Sequence, residues 1–184
     1  MEVPLENLKE KKMISSDAYE IGEILDVRYD PFEWRVEGLK VKANRSSEKL
    51  AAGLGKSSVM ILPTDFVVND VFLLSQSIKT LKDSVVPDNN NISSLSSLVP
   101  AKVVTRDNIL VGNVTTVMVN IDTWTVPSIV VRLDKTAIEA MKMKKGFFSK
   151  ISVAIGTDTI RSCADMIHLD VNMDGVRESM TVLE

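Results

Sequence analysis

The strongest constraint on this chain is that it repeats itself. Shifted by 90 positions, residues 13–42 align with 103–132 without a gap. Asp17/Asp107, Gly22/Gly112, Val27/Val117, Trp34/Trp124, Val36/Val126 and Val41/Val131 are identical across the shift. Most remaining pairs set apolar against apolar, as in Met13/Val103, Ile14/Val104, Ile21/Val111, Ile24/Val114 and Leu39/Ile129. The chain has two tryptophans, and the shift places one on the other. Beyond Lys42 the register slips by a few residues. Val59–Val67 then answers Ser152–Ile160, with Thr64-Asp65 facing Thr157-Asp158. A period near 90 residues is too long for a solenoid unit and implies a duplicated domain. The copies are expected at 8–85 and 100–184, each near the minimum size for its own core. Between them, Val86–Pro100 (VPDNNNISSLSSLVP) has three asparagines, four serines and a proline near each end. That composition predicts a linker over 86–99, although Ile92, Leu95 and Leu98 leave open that part of it docks.

Within a copy the signals are those of strands and turns. Each opens on a short apolar strand, Lys12–Ser15 or Lys102–Thr105, followed by a polar turn. Gly22 and Gly112 interrupt the next strand early, as a bulge or sharp bend does. Leu25, Val27 and Tyr29 alternate with Asp26, Arg28 and Asp30, and after the Asp30-Pro31-Phe32-Glu33 turn Leu39 and Val41 alternate with Lys40 and Lys42. Short helices are expected at Ser46–Leu54 and at Lys135–Lys145, the latter stopped by Gly146. Strands follow at Val59–Leu62 and Val67–Leu74, and at Ile151–Ile155 and Cys163–Leu169. The fold class expected is all-β: two tandem small barrels, each with one short helix.

These elements carry a resemblance. Ile21-Gly22-Glu23, the Asp30-Pro31 turn and the Leu62-Pro63 start of the fourth strand are similar to the PRC-barrel family, named for the cytoplasmic barrel of the photosynthetic reaction-centre H subunit. The first copy fits well. The second diverges, with Asn120-Ile121 at the turn and Gly156 in place of the fourth-strand proline.

Composition removes several function classes. With 22 Lys+Arg against 25 Asp+Glu, the net charge of −3 offers no footprint for a nucleic-acid backbone. One cysteine excludes an internal disulfide, and one histidine excludes a multi-histidine metal centre. No apolar run approaches the roughly 18 residues needed to cross a bilayer, and the first residues lack a signal-peptide core. A cytoplasmic protein is expected.

Motif shadows dissolve on inspection. Gly53-Leu54-Gly55-Lys56-Ser57 ends like a phosphate loop, but Leu50 stands where its first glycine belongs. The segment reads as a helix C-cap. Asp170–Gly175 imitates a calcium loop, but Thr181 occupies the twelfth position, so a polar turn between strands is expected. His168 and Cys163 have no partner nearby in sequence and read as structural. The paired tryptophans read as packing for the hairpin ends. Lys142, Lys144, Lys145 and Lys150 read as complements to a helix C-terminus rather than a contact for an acidic partner. No nucleophile, base and orienting group assemble. No catalytic residue, cofactor or metal is expected.

The two copies differ on one face. Asp26, Arg28, Asp30 and Lys40 in the first become Thr116, Met118, Asn120 and Val130 in the second. With Leu25 and Val41 facing inward as partners, strand alternation pairs Asp26 with Lys40 as a solvated ion-pair surface, and Thr116 with Val130 as its apolar twin. Thr116, Met118, Asn120 and Val130 are therefore the candidate protein interface, against the rival that they pack within the chain. The resemblance to tandem archaeal PRC-barrel proteins implies a cell-division adaptor. It would link the membrane anchor of a tubulin-like GTPase to the division machinery, as a homodimer or with a PRC-barrel paralogue. The alternative is an accessory factor in RNA processing or ribosome maturation, with no direct nucleic-acid contact. Neither reading involves an enzyme.

Overall fold

The computed structural model describes residues 1–44, 58–63, 66–88, 91–143 and 150–183. The chain is mostly β, as its alternation predicts. It divides into two compact units: Leu5–Ser96, and Ser97–Glu184 together with Met1–Pro4.

The strands of the first unit are β2 (Lys12–Ile14), β3 (Glu20–Asp30), β4 (Arg35–Ala43), β5 (Ser58–Ile61), β6 (Phe66–Val68), β7 (Phe72–Leu74), β8 (Val85–Pro87) and β9 (Ser93–Ser94). Those of the second are β1 (Glu2–Pro4), β10 (Lys102–Val104), β11 (Leu110–Asn120), β12 (Thr125–Leu133), β13 (Ser152–Gly156), β14 (Ile160–Cys163), β15 (Met166–Leu169) and β16 (Thr181–Leu183). The first unit pairs them β6-β7-β2-β3-β4-β5-β8, with β9 added on β3. The second runs β14-β15-β10-β11-β12-β13-β16, with β1 added on β11. The order is the same in both, including a parallel pair (β2 with β7, β10 with β15) in an otherwise antiparallel sheet. Among the described residues no strand pairing closes either sheet.

The long hairpin explains the identities found in sequence. A Cβ on Gly22 would lie 2.1 Å from the Lys42 carbonyl oxygen, and one on Gly112 2.0 Å from that of Arg132. The glycines permit a backbone approach that any side chain blocks. Asp26 faces Lys40 and Thr116 faces Val130, as alternation requires. The inward partner of Val41, however, is Ile24 and not Leu25. The ladder shifts between Ile24 and Asp26, so Leu25 is the bulged residue, 37% exposed. The divergent turn keeps its geometry. Asp30 Oδ1 accepts from the Phe32 and Glu33 amides at 2.7 and 3.1 Å; Asn120 Oδ1 accepts from Asp122 and Thr123 at 3.0 and 3.2 Å. Only the Oδ1 acceptor matters, and both side chains supply it. Trp34 and Trp124 follow with φ of 51° and 54°, and Trp34 packs on Tyr29 with ring centroids 5.4 Å apart.

Several expectations are corrected. Of the stretch expected as a linker, 86–99, much is docked: β8 pairs with β5, β9 pairs with β3, and Leu95 and Leu98 are buried. Polar composition disguised strands whose backbone is satisfied by a neighbour. Val67–Leu74 and Cys163–Leu169 are not single strands but the hairpins β6-β7 and β14-β15. The Asp170–Gly175 turn is the start of a helix, Met173–Ser179, whose first turn is capped by Asn172 through the Gly175 amide at 2.9 Å. Each unit has more than one short helix: Leu5–Leu8 and Ile78–Leu81 in the first, Lys135–Ala140 and Met173–Ser179 in the second. The expected helix Ser46–Leu54, the glycine-rich stretch after it, and Lys144 to Gly146 lie outside the described residues. Finally, Val41 pairs Val59 while Val131 pairs Val153. Met60 is thus equivalent to Ala154 and Leu62 to Gly156, one residue away from the alignment suggested by the shared Thr-Asp.

A candidate protein-binding groove

The candidate site is built on the β11-β12 hairpin of the second unit, with β13 and β16 beside it. Met118, Val130, Ala154, Gly156 and Leu183 line a groove of about 460 Å³, with Pro127, Ser128, Ser179 and Thr181 completing it and Glu2 at its edge. Of the four expected interface residues, Met118 and Val130 line this groove. Thr116 sits opposite Val130 in the ladder, and Asn120 is committed to capping the hairpin turn. Val130 is only 7% exposed, while Thr116, Met118 and Asn120 are half-buried. The face is a groove and not a flat patch, with Val130 buried and Leu183 40% exposed, so a charge at Val130 would meet a desolvation cost.

The first copy shows why the recess exists. Its equivalent face is not a solvated ion-pair surface. Arg28 and Asp88 are each 7% exposed, joined by Nε to Oδ1 at 3.0 Å and Nη2 to Oδ2 at 3.1 Å. Lys40 Nζ reaches Asp88 Oδ2 at 2.9 Å rather than pairing with its cross-strand neighbour Asp26. Asp26 instead accepts from the hydroxyls of Ser94 and Ser96. Burial alone would raise the Asp88 carboxyl, but hydrogen bonds and charge from Arg28 and Lys40 outweigh it and hold it below the ordinary carboxylate value.

Register carries this comparison to the second copy residue by residue. Pro87 pairs with Val59, and Val182 with Val153, so the next residues, Asp88 and Leu183, are equivalent. The ionic trio Arg28, Lys40 and Asp88 becomes Met118, Val130 and Leu183. Beside it, Met60 lies over Gly38, whose added Cβ would be 2.4 Å from the Met60 Cγ. At these places the second copy has Ala154 and Ser128. Replacing Met by Ala and Leu by Gly removes the atoms that would fill the groove.

Sequence reasoning found Met118 and Val130 but missed Asp88, Ala154 and Leu183. Asp88 lay in a run read as linker, and the one-residue misalignment hid Met60/Ala154. The tail strand β16 pairs with β13 of its own unit. His168 lies on β15, paired with Val104 and opposite Ser162. Cys163 is part-buried on β14, and burial pushes its thiol up to about 11, away from nucleophilic use. Among the described residues no group of three or more His, Cys, Asp or Glu is placed to hold a metal, and no helix is long and apolar enough to cross a membrane. No protein-family model and no curated protein matches this chain.

Proposed function

We propose that this chain is a non-catalytic protein-binding adaptor made of two PRC-type barrels. In this reading it works in archaeal-type cell division, connecting the membrane anchor of a tubulin-like GTPase to the division machinery. The observation that carries the binding role is the groove of the second unit, whose walls are Met118, Val130, Ala154 and Leu183. These apolar walls suit an apolar side chain of a partner protein. The identity of the partner rests on the resemblance of the Ile21-Gly22-Glu23, Asp30-Pro31 and Leu62-Pro63 features to tandem PRC-barrel proteins.

The test uses the difference between the copies. Ala154→Met puts the first copy's residue into the groove, and Met118→Arg places there the guanidinium that the first copy carries. Titration of purified membrane anchor and tubulin-like GTPase onto the full chain should show binding of the anchor, weakened at least about tenfold, or about 1.4 kcal/mol, by either substitution. The thermal melt should be nearly unchanged for Ala154→Met and lowered for Met118→Arg, whose charge has no carboxylate partner in this copy. Failure of the wild-type chain to bind either protein would remove the division reading. Unchanged binding by both variants would remove the groove.

A further inference from the structure

The two sheets end on equivalent strands whose outer edges differ. β8 lies on β5 in the first unit and β16 on β13 in the second. Among the described residues neither strand has a neighbour on its other side. Pro87 pairs with Val59 and Val182 with Val153, so proline and valine occupy the same place.

The hydrogen-bond pattern fixes which way that place points. The Leu133 amide donates to the Ile151 carbonyl at 2.9 Å, so these residues form a hydrogen-bonded pair. Two residues along the same register, Val131 and Val153 form another, and the Val153 backbone is turned toward β12. Val153 and Val182 are then an open pair, and the Val182 N–H and C=O point away from β13, along the free edge. The first unit gives the same result. The Leu62 amide donates to the Ser84 carbonyl at 2.9 Å, which makes Val59 and Pro87 the open kind of pair. Pro87 has no N–H to offer there, and its edge is closed to a further strand. The edge at Val182 keeps both donor and acceptor.

Both faces beside this edge are apolar. Val182 shares its face with Val153, in the core, yet is 51% exposed. Leu183 is on the opposite face, part-exposed in the wall of the groove. A strand laid on β16 satisfies the Val182 backbone and covers both side chains. Apolar neighbours on both faces call for consecutive apolar residues in that strand.

We infer that β16 is the docking edge for an extended apolar segment of the partner protein, added to the sheet as a further strand. The inference rests on the adaptor reading for the nature of the occupant, since the edge adjoins the groove through Thr181 and Leu183.

The probe is the peptide acetyl-Lys-Leu-Val-Leu-Lys-amide, titrated onto the full chain and followed by backbone NMR. The Val182 amide should shift downfield and gain protection from exchange. N-methylation of the peptide's valine should weaken binding at least about tenfold, and N-methylation of the leucine after it less than about twofold, because alternate amides face β16. Val182→Pro, which gives this edge the first unit's residue, should abolish the response. A silent Val182 amide at saturation, or equal effects of the two methylations on the wild-type chain, would overturn the inference even if the proline variant unfolds. A chain that is dimeric alone and monomeric as Val182→Pro would give the edge to a second copy and overturn the partner. Peptide binding by a chain that binds neither division protein would remove the division reading and leave the edge.

Discussion

The outer faces of the two long hairpins are the same surface built from opposite chemistry. In the first copy a buried carboxylate, Asp88, binds a guanidinium and an ammonium. In the second, Leu183 lies among Met118 and Val130. The strands, turns and register beneath are unchanged. Each trio is internally consistent: three charges or none. A low-dielectric site tolerates a complete ionic set or an apolar set, and penalises a mixture. The comparison teaches that the apolar residues of the second copy are not by themselves a sign of a partner. They are first the replacement of an ionic trio. The sign of a partner is the volume missing beside them, where Ala154 and Gly156 stand for Met60 and Leu62.

The largest effect should come from breaking one trio. Asp88→Ala leaves Arg28 and Lys40 without their carboxylate and should cost about 3–5 kcal/mol, read from urea unfolding of the full chain. Converting the whole set, Arg28→Met with Lys40→Val and Asp88→Leu, should recover most of that loss. If the triple variant is as unstable as the single one, the two trios are not interchangeable.

A smaller, matched effect tests the shared frame. Gly22→Ala and Gly112→Ala should each cost about 1–3 kcal/mol through overpacking against a carbonyl. The two losses should agree, because the clash distances of 2.1 and 2.0 Å do. Unequal melting shifts would mean that the hairpins differ below their surfaces.

Acid should separate the units more gently. The Asp88 carboxyl is held below its ordinary value in the folded state, so its contribution is complete above the unfolded value near 4. It is lost as pH falls through the depressed folded value. Leu183 does not titrate. With Trp124→Phe leaving Trp34 as reporter, and Trp34→Phe leaving Trp124, fluorescence during acid titration should show the first unit loosening at the higher pH. Coincident transitions would contradict this assignment.

Much of the fold was legible. The hairpins β3-β4 and β11-β12 follow from period-two alternation, and even the facing of Asp26 with Lys40 and Thr116 with Val130 was readable. Met118 and Val130 stood out because one copy served as the reference for the other. Leu25 was misread because a bulge moves one residue out of phase without any mark in composition. β8 and β9 were read as linker because their Asn- and Ser-rich surroundings carry no hydrophobic period.

By itself, then, the sequence determined the duplication, the hairpins, their turns and the one-sided change of chemistry, since each depends on neighbours a few residues apart. Only the tertiary structure decided that Asp88 closes the Arg28 and Lys40 site 60 and 48 residues along the chain, that Leu183 takes its place in the other copy, and that β1 lies on β11 and β9 on β3. Those choices depend on which distant strand satisfies an exposed backbone edge. Such an edge accepts any strand of fitting shape, so local sequence does not specify its partner.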